Sequence, residues 1–131
     1  MSERTHNQAK ELAASSPEAA KLAALRLLSD APENSQRQVA FALGISLGRT
    51  NYLLQALLEK GFVKIRNFRR SDNKLAYAYV LTPTGIAEKL RLTRAFVQRK
   101  EQEFETLQRM IADLKSELGN ASPDDEETKS L

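Results

Sequence analysis

The chain has 131 residues, enough for one compact domain with an appendage and too few for two domains with separate cores. Its 41% hydrophobic and 28% charged residues are ordinary for a soluble folded protein, and the lack of cysteine excludes disulfides, thiolate metal sites and a cysteine nucleophile. The formal charge of +3 is unevenly spread: over residues 34–75 eight basic side chains face two acidic ones, a net +6 that favours a polyanionic partner, while Asp124, Asp125, Glu126 and Glu127 make the C-terminal stretch acidic.

Residues 1–15 are polar and include the one histidine, His6; they read as a mostly mobile arm, with a short helical lead-in conceivable over residues 10–14. No basic-then-apolar leader opens the chain and no run nears the ~18 apolar residues that span a bilayer, so the reading is cytoplasmic. Ser16 followed by Pro17 starts a helix, serine capping free N–H groups and proline fitting the first helical position. Leu22, Leu25 and Leu28, with Ala19 and Ala24, form its apolar face until Pro32 and Asn34 break the pattern. Ser35 opens a second, short helix, and Gln38 sits where its side chain can return the cap. That helix runs through Val39, Ala40 and Leu43 to Gly44, and Ser46 caps a third helix reaching about Lys60.

Gly61 closes the third helix, and residues 62–66 alternate with the period of a strand. A second strand covers residues 75–81. Between them Ser71, Asp72 and Asn73 mark a turn flanked by Arg69, Arg70 and Lys74, which makes a hairpin with a basic tip. Thr82 and Pro83 start a last helix that nothing interrupts before Gly119, about 36 residues or 54 Å long. Along it Ile86, Leu90, Thr93, Val97, Lys100, Phe104, Leu107, Ile111, Leu114 and Leu118 alternate four and three apart, a heptad seam suited to pairing two copies. The polar positions Thr93 and Lys100 are its weak points, and Ile86, Leu90, Val97, Phe104, Leu107, Ile111, Leu114 and Leu118 are the expected dimerisation residues. Residues 119–131, acidic and without an apolar face, read as disordered.

Helix, helix, tight turn, helix, strand, basic tip, strand is the plan of a winged helix-turn-helix, so the expected fold is mainly α with a small β-hairpin and a long C-terminal dimerisation helix. The implied organisation is an arm over residues 1–15, the winged domain over 16–82, the long helix over 83–118 and the tail over 119–131. At 100° per residue, Thr50, Leu53, Leu54 and Leu57 of the third helix share one side, whereas Gly48, Asn51, Tyr52 and Gln55 share the other, flanked by Arg49. Amides match an adenine edge and guanidinium a guanine edge, so Arg49, Asn51, Tyr52 and Gln55 are the candidate base readers. Ser46 and Gly48, which open that helix, and Arg37, Arg66, Arg69, Arg70, Asp72 and Lys74 are the candidates for backbone or minor-groove contact.

These residues resemble the MarR family of bacterial transcriptional regulators over residues 19–114. The likeness is carried by Q-R-Q-V-A-F-A-L-G-I-S, by R-T-N-Y-L-L-Q-A-L-L-E-K-G-F-V and by the wing S-D-N-K-L-A-Y-A-Y-V-L-T-P-T-G, and it looks closest to the subgroup associated with exopolysaccharide gene clusters. The resemblance implies a homodimeric repressor on an inverted-repeat operator, in many members released by a small ligand. The family's wing carries an aspartate two residues before an arginine that enters the minor groove; here the matching pair is Asp72 and Lys74, so lysine replaces arginine and Arg69 or Arg70 is left to take that role. The short N-terminal segment also shifts the expected burden of dimerisation to the last helix.

An enzyme is not expected, since no nucleophile with a base, metal cluster or phosphate cradle is visible and no cofactor is implied. The acidic run 124–127 lacks the glycine-shaped loop of a cation site. Tyr77 and Tyr79 read as sheet or core residues. The competing reading is a winged-helix adaptor that binds another protein through its coiled coil and DNA weakly or not at all.

Overall fold

The computed structural model describes residues 3–121. In it the caps read from the sequence delimit α1 (Glu3–Ser15), α2 (Pro17–Asp30), α3 (Gln36–Leu43), α4 (Leu47–Glu59), β1 (Val63–Arg69), β2 (Leu75–Leu81) and α5 (Pro83–Asn120). Ser16 accepts from the Ala19 amide with Pro17 in the first turn, Ser35 and Gln38 close a reciprocal capping box, and Ser46 accepts from the Arg49 amide. The chain divides into two units, Met1–Arg94 and Ala95–Leu131, with α5 contributing its first turns to one and its remainder to the other.

In the first unit α2 is the hub. Ala19, Ala20, Leu22, Ala23, Ala24, Leu25, Leu27 and Leu28 are all buried, and the helix meets α1, α3 and β2. Val39 and Leu43 from α3 and Leu54 and Leu57 from α4 complete a core in which each buried leucine is worth about 1.5–3 kcal/mol of transfer free energy. β1 and β2 pair antiparallel, with Val63 opposite Leu81 and Arg69 opposite Leu75. The Tyr79 amide donates to the Pro32 carbonyl at 3.0 Å, which ties β2 to the loop after α2.

Three boundaries differ from the sequence reading. The arm is helical: Leu12 and Ala13 are buried and Ala9 half-buried, a short i, i+3, i+4 stripe that α1 lays against α2. β1 extends to Arg69 because ladder pairing with β2 continues to the turn, which local alternation did not reveal. α5 runs to Asn120, two residues past the expected stop, since Gly119 remains helical rather than capping. The side chain of His6 and the acidic run 124–127 lie outside the described residues. Among the described residues no helix is long and apolar enough to cross a membrane.

Candidate nucleic-acid interface

The sharp turn between α3 and α4 depends on Gly44, whose φ of 68° lies in the left-handed region. Its amide donates to Phe41 O and the Ile45 amide to Ala40 O, satisfying two of the last carbonyls of α3. α4 is then anchored by Thr50, Leu54 and Leu57, each 1% exposed or less. The buried Thr50 hydroxyl is satisfied by the Ser46 carbonyl at 2.9 Å, so its burial leaves no orphan. On the other side Gly48, Arg49, Asn51, Tyr52 and Gln55 are all exposed, Tyr52 at 79%. The angular division made from the sequence therefore describes the helix as folded, with Leu53 half-buried at its edge.

All eight basic residues of the positive segment are exposed, but they do not form one cluster. Ladder partners share a face, so Lys64 and Arg66 stand with Phe68, Ala76, Ala78 and Val80 on one face of the hairpin, and Arg69 stands with Leu75 on the other. Arg70 and Lys74 flank a three-residue loop, closed by Arg70 N–H to Lys74 O and Asn73 N–H to Arg70 O, both at 2.9 Å. Asn73 takes the left-handed conformation that this kind of connection requires, at φ 64°. Asp72 organises the tip: one carboxylate oxygen accepts from the Lys74 amide at 3.2 Å and the other pairs with Arg70 at 3.4 Å. Arg69 donates to the Asn73 carbonyl. Arg37 is exposed on α3 and borders a cleft of about 340 Å³ with Lys10, Leu27 and Phe41; the Lys10 ammonium lies 5.1 Å from the centre of the exposed Phe41 ring.

The hairpin is fastened where it meets α5. The Thr82 hydroxyl donates to Gly61 O, accepts from the Gly85 amide at 3.0 Å, and so caps α5, while the Thr82 amide donates to Phe62 O at 3.0 Å. Gly85 is buried, and a β-carbon there would fall 1.9 Å from Phe62 O. Close by, Glu88 accepts from Lys21 at 2.7 Å and from Arg91 at 2.6 and 3.0 Å. The Arg91 hydrogen bond, helped by Lys21 against partial burial, holds the Glu88 carboxyl at about 2.

Sequence reasoning missed one connection. Asn51 donates from Nδ2 to Gln36 Oε1 at 3.2 Å, and Gln36 donates from Nε2 to the Tyr79 hydroxyl at 3.2 Å. Gln36 is 15 residues from Asn51 and 43 from Tyr79, so no local pattern could have linked them. A groove of about 730 Å³ beside this chain is lined by Gln36, Gln38, Phe68, Arg70, Tyr77 and Tyr79 among others.

Ile86 and Leu90 in the first unit, and Val97, Phe104, Leu107, Ile111, Leu114 and Leu118 in the second, are exposed. Met110, which the heptad reading left out, is exposed beside Leu107 and Ile111 and widens the stripe. The two polar seam positions are satisfied within the helix: Thr93 bonds Lys89 O at 2.7 Å, and Lys100 pairs with Glu103 at 3.0 Å above the Phe96 ring.

Residues 18–64, from α2 into β1, match the winged helix-turn-helix DNA-binding family. No curated protein matches the chain. Among solved structures, apo MarR from Escherichia coli is 21% identical with a TM-score of 0.58, covering 92% of this chain and 93% of its own. A MarR family protein from Mycobacterium tuberculosis in complex with p-aminosalicylic acid is 18% identical with a TM-score of 0.53, covering 89% and 94%. A mutant of Staphylococcus aureus MepR is 20% identical with a TM-score of 0.53, covering 88% and 87%. At this level of identity the likeness establishes the architecture: five helices and an antiparallel hairpin in a winged helix fold with a long C-terminal helix, as in the MarR structures.

Proposed function

We propose that the chain is a sequence-specific, double-stranded DNA-binding transcriptional regulator of the MarR type, and not an enzyme. It acts as a homodimer on an inverted-repeat operator and represses transcription. The observation that carries this reading is the division of α4: Thr50, Leu54 and Leu57 anchor it, while Arg49, Asn51, Tyr52 and Gln55 stand exposed next to a basic hairpin. A solvated helix face needs no such combination of tight turn, amide-rich outer face and positive wing.

In this account Arg49, Asn51, Tyr52 and Gln55 meet base edges in the major groove, with Ser46 and Gly48 at the start of α4 close to the duplex. Arg37, Arg66, Arg69, Arg70 and Lys74 neutralise phosphates or enter the minor groove, and Asp72 shapes the tip that presents them. The apolar stripe from Ile86 to Leu118 pairs the two copies, since a monomer would leave it in water. By its motifs the chain stands nearest the exopolysaccharide-associated subgroup. A small-molecule effector belongs to the same reading, supported by the p-aminosalicylic acid complex of the M. tuberculosis protein.

Fluorescence anisotropy with labelled random-sequence and genomic duplexes, titrated with salt, tests the proposal. Binding whose logarithm falls linearly with log salt, together with a recoverable preferred site, is expected. Absence of salt-dependent duplex binding by the folded protein would favour the protein-binding adaptor instead.

A further inference from the structure

The hydrogen-bonded chain from Asn51 through Gln36 to Tyr79 joins the outer face of α4, the first turn of α3 and the wing strand β2. We propose that Gln36 is a specificity-determining positioning residue, held by Tyr79 and fixing the way round in which the Asn51 amide faces DNA. This rests on the reading that Asn51 meets a base edge.

An asparagine amide has two N–H donors and one carbonyl acceptor. Asn51 spends one N–H on Gln36 Oε1, which keeps its nitrogen end turned toward α3. The second N–H and Oδ1 stay open, and that pair is what the N7 acceptor and N6 donor of adenine require. Turning the amide over would set Oδ1 against Gln36 Oε1, acceptor to acceptor.

Gln36 stands in this sense with Nε2 donating to the Tyr79 hydroxyl; because a hydroxyl can also donate, the reverse sense requires both amides and the phenol proton to turn together, whereas a free asparagine turns alone. Tyr79 is a firm base for it: its ring is buried, and its backbone is held by the β1 ladder and by Pro32 O. An exposed asparagine would otherwise sample both amide orientations and several rotamers. Fixing one before binding removes that ordering cost from the complex and makes the wrong base edge meet the wrong group. Gln36 itself is half-buried and needs no DNA contact to exert this effect.

The test uses the full chain and a duplex carrying the site it selects from random DNA, with a panel in which each base pair of that site is replaced in turn. Asn51→Ala first identifies the pair that Asn51 reads, expected to be A·T. At that pair Gln36→Leu should lower discrimination at least threefold while leaving the choice at pairs relaxed by Gln55→Ala unchanged. Gln36→Glu still presents an acceptor to Asn51, so it should keep the wild-type ratio at that pair even though its charge weakens all binding. Tyr79→Phe, with folding checked by thermal melting, should fall between wild type and Gln36→Leu.

Wild-type discrimination in Gln36→Leu, or equal loss in Gln36→Glu and Gln36→Leu, would overturn the inference while leaving Asn51 as a reader. An Asn51→Ala variant that relaxes no pair would overturn the base-reading assignment and this inference together. Relaxation at a pair other than A·T would overturn the adenine match.

Discussion

Gly85→Ala places one methyl group where the structure has none to spare. The new β-carbon would lie 1.9 Å from the Phe62 carbonyl oxygen and 2.8 Å from its carbon, against an ordinary contact of about 3.4 Å or more. The obstacle is backbone, so no rotamer change relieves it, and the two segments must separate by more than 1 Å. That separation also strains the Thr82 amide bond to Phe62 O and the Thr82 hydroxyl bonds to Gly61 O and the Gly85 amide, each worth about 1 kcal/mol. We expect a loss of about 3 kcal/mol, the upper end of overpacking costs, and a fall in melting temperature of roughly 10–15 °C. Urea and thermal unfolding followed by circular dichroism measure it, with Gly48→Ala as control: a β-carbon there meets nothing within 4 Å, and alanine in a helix should be neutral or stabilising by up to about 1 kcal/mol. Equal stability of Gly85→Ala and Gly48→Ala would refute the latch between the end of α4 and the start of α5.

Glu88, lowered to about 2 by Arg91 and Lys21, stabilises the fold fully above its unfolded value near 4.5 and loses that contribution as pH falls toward 2. Solvent around the exposed Arg91 holds the effect to about 1 kcal/mol, so Glu88→Gln should unfold with a shallower acid dependence over that window; an identical dependence would contradict the assignment. Arg69→Ala with Arg70→Ala should weaken specific and non-specific DNA alike and reduce the salt slope by roughly 0.9 per lost phosphate contact, whereas loss confined to the preferred site would mean that the wing reads sequence. Sedimentation should find a dimer that truncation after Arg99 converts to monomer; a monomeric full chain at micromolar concentration would remove the role given to the α5 stripe.

The parts of this fold that were legible in the sequence are those set by local chemistry. Ser16, Ser35, Ser46 and Thr82 announce their helices because a hydroxyl before a helix has one strong use, and Gly44 and Gly61 mark left-handed positions that disfavour a β-carbon. The outer face of α4 follows largely from periodicity, since burying Leu54 and Leu57 turns Tyr52 and Gln55 away, while Asn51, only about 60° from Leu54, stands on the flank where it meets Gln36. What stayed hidden depends on partners distant in the chain. Leu12 and Ala13 form too short a stripe to predict α1 unless the apolar surface of α2 is known. The separation of Arg66 from Arg69 onto opposite hairpin faces depended on β1 running on to Arg69, which only its pairing with β2 reveals. Gly85 has no local signature, because its need for a missing side chain comes from Phe62 on another element. Gln36 reads as an ordinary first-turn residue until Asn51 and Tyr79 are brought beside it.

The central claim is that the outer face of α4 chooses DNA sequence. Its most direct test is the affinity ratio between the selected site and a scrambled duplex at one salt concentration, measured for Arg49→Ala, Asn51→Ala, Tyr52→Ala and Gln55→Ala. Asn51→Ala and Gln55→Ala should each lose about 1–3 kcal/mol at the selected site, roughly five- to 150-fold, with scrambled DNA nearly unaffected. Four folded variants that all keep the wild-type ratio would contradict the account and leave α4 as a solvated face.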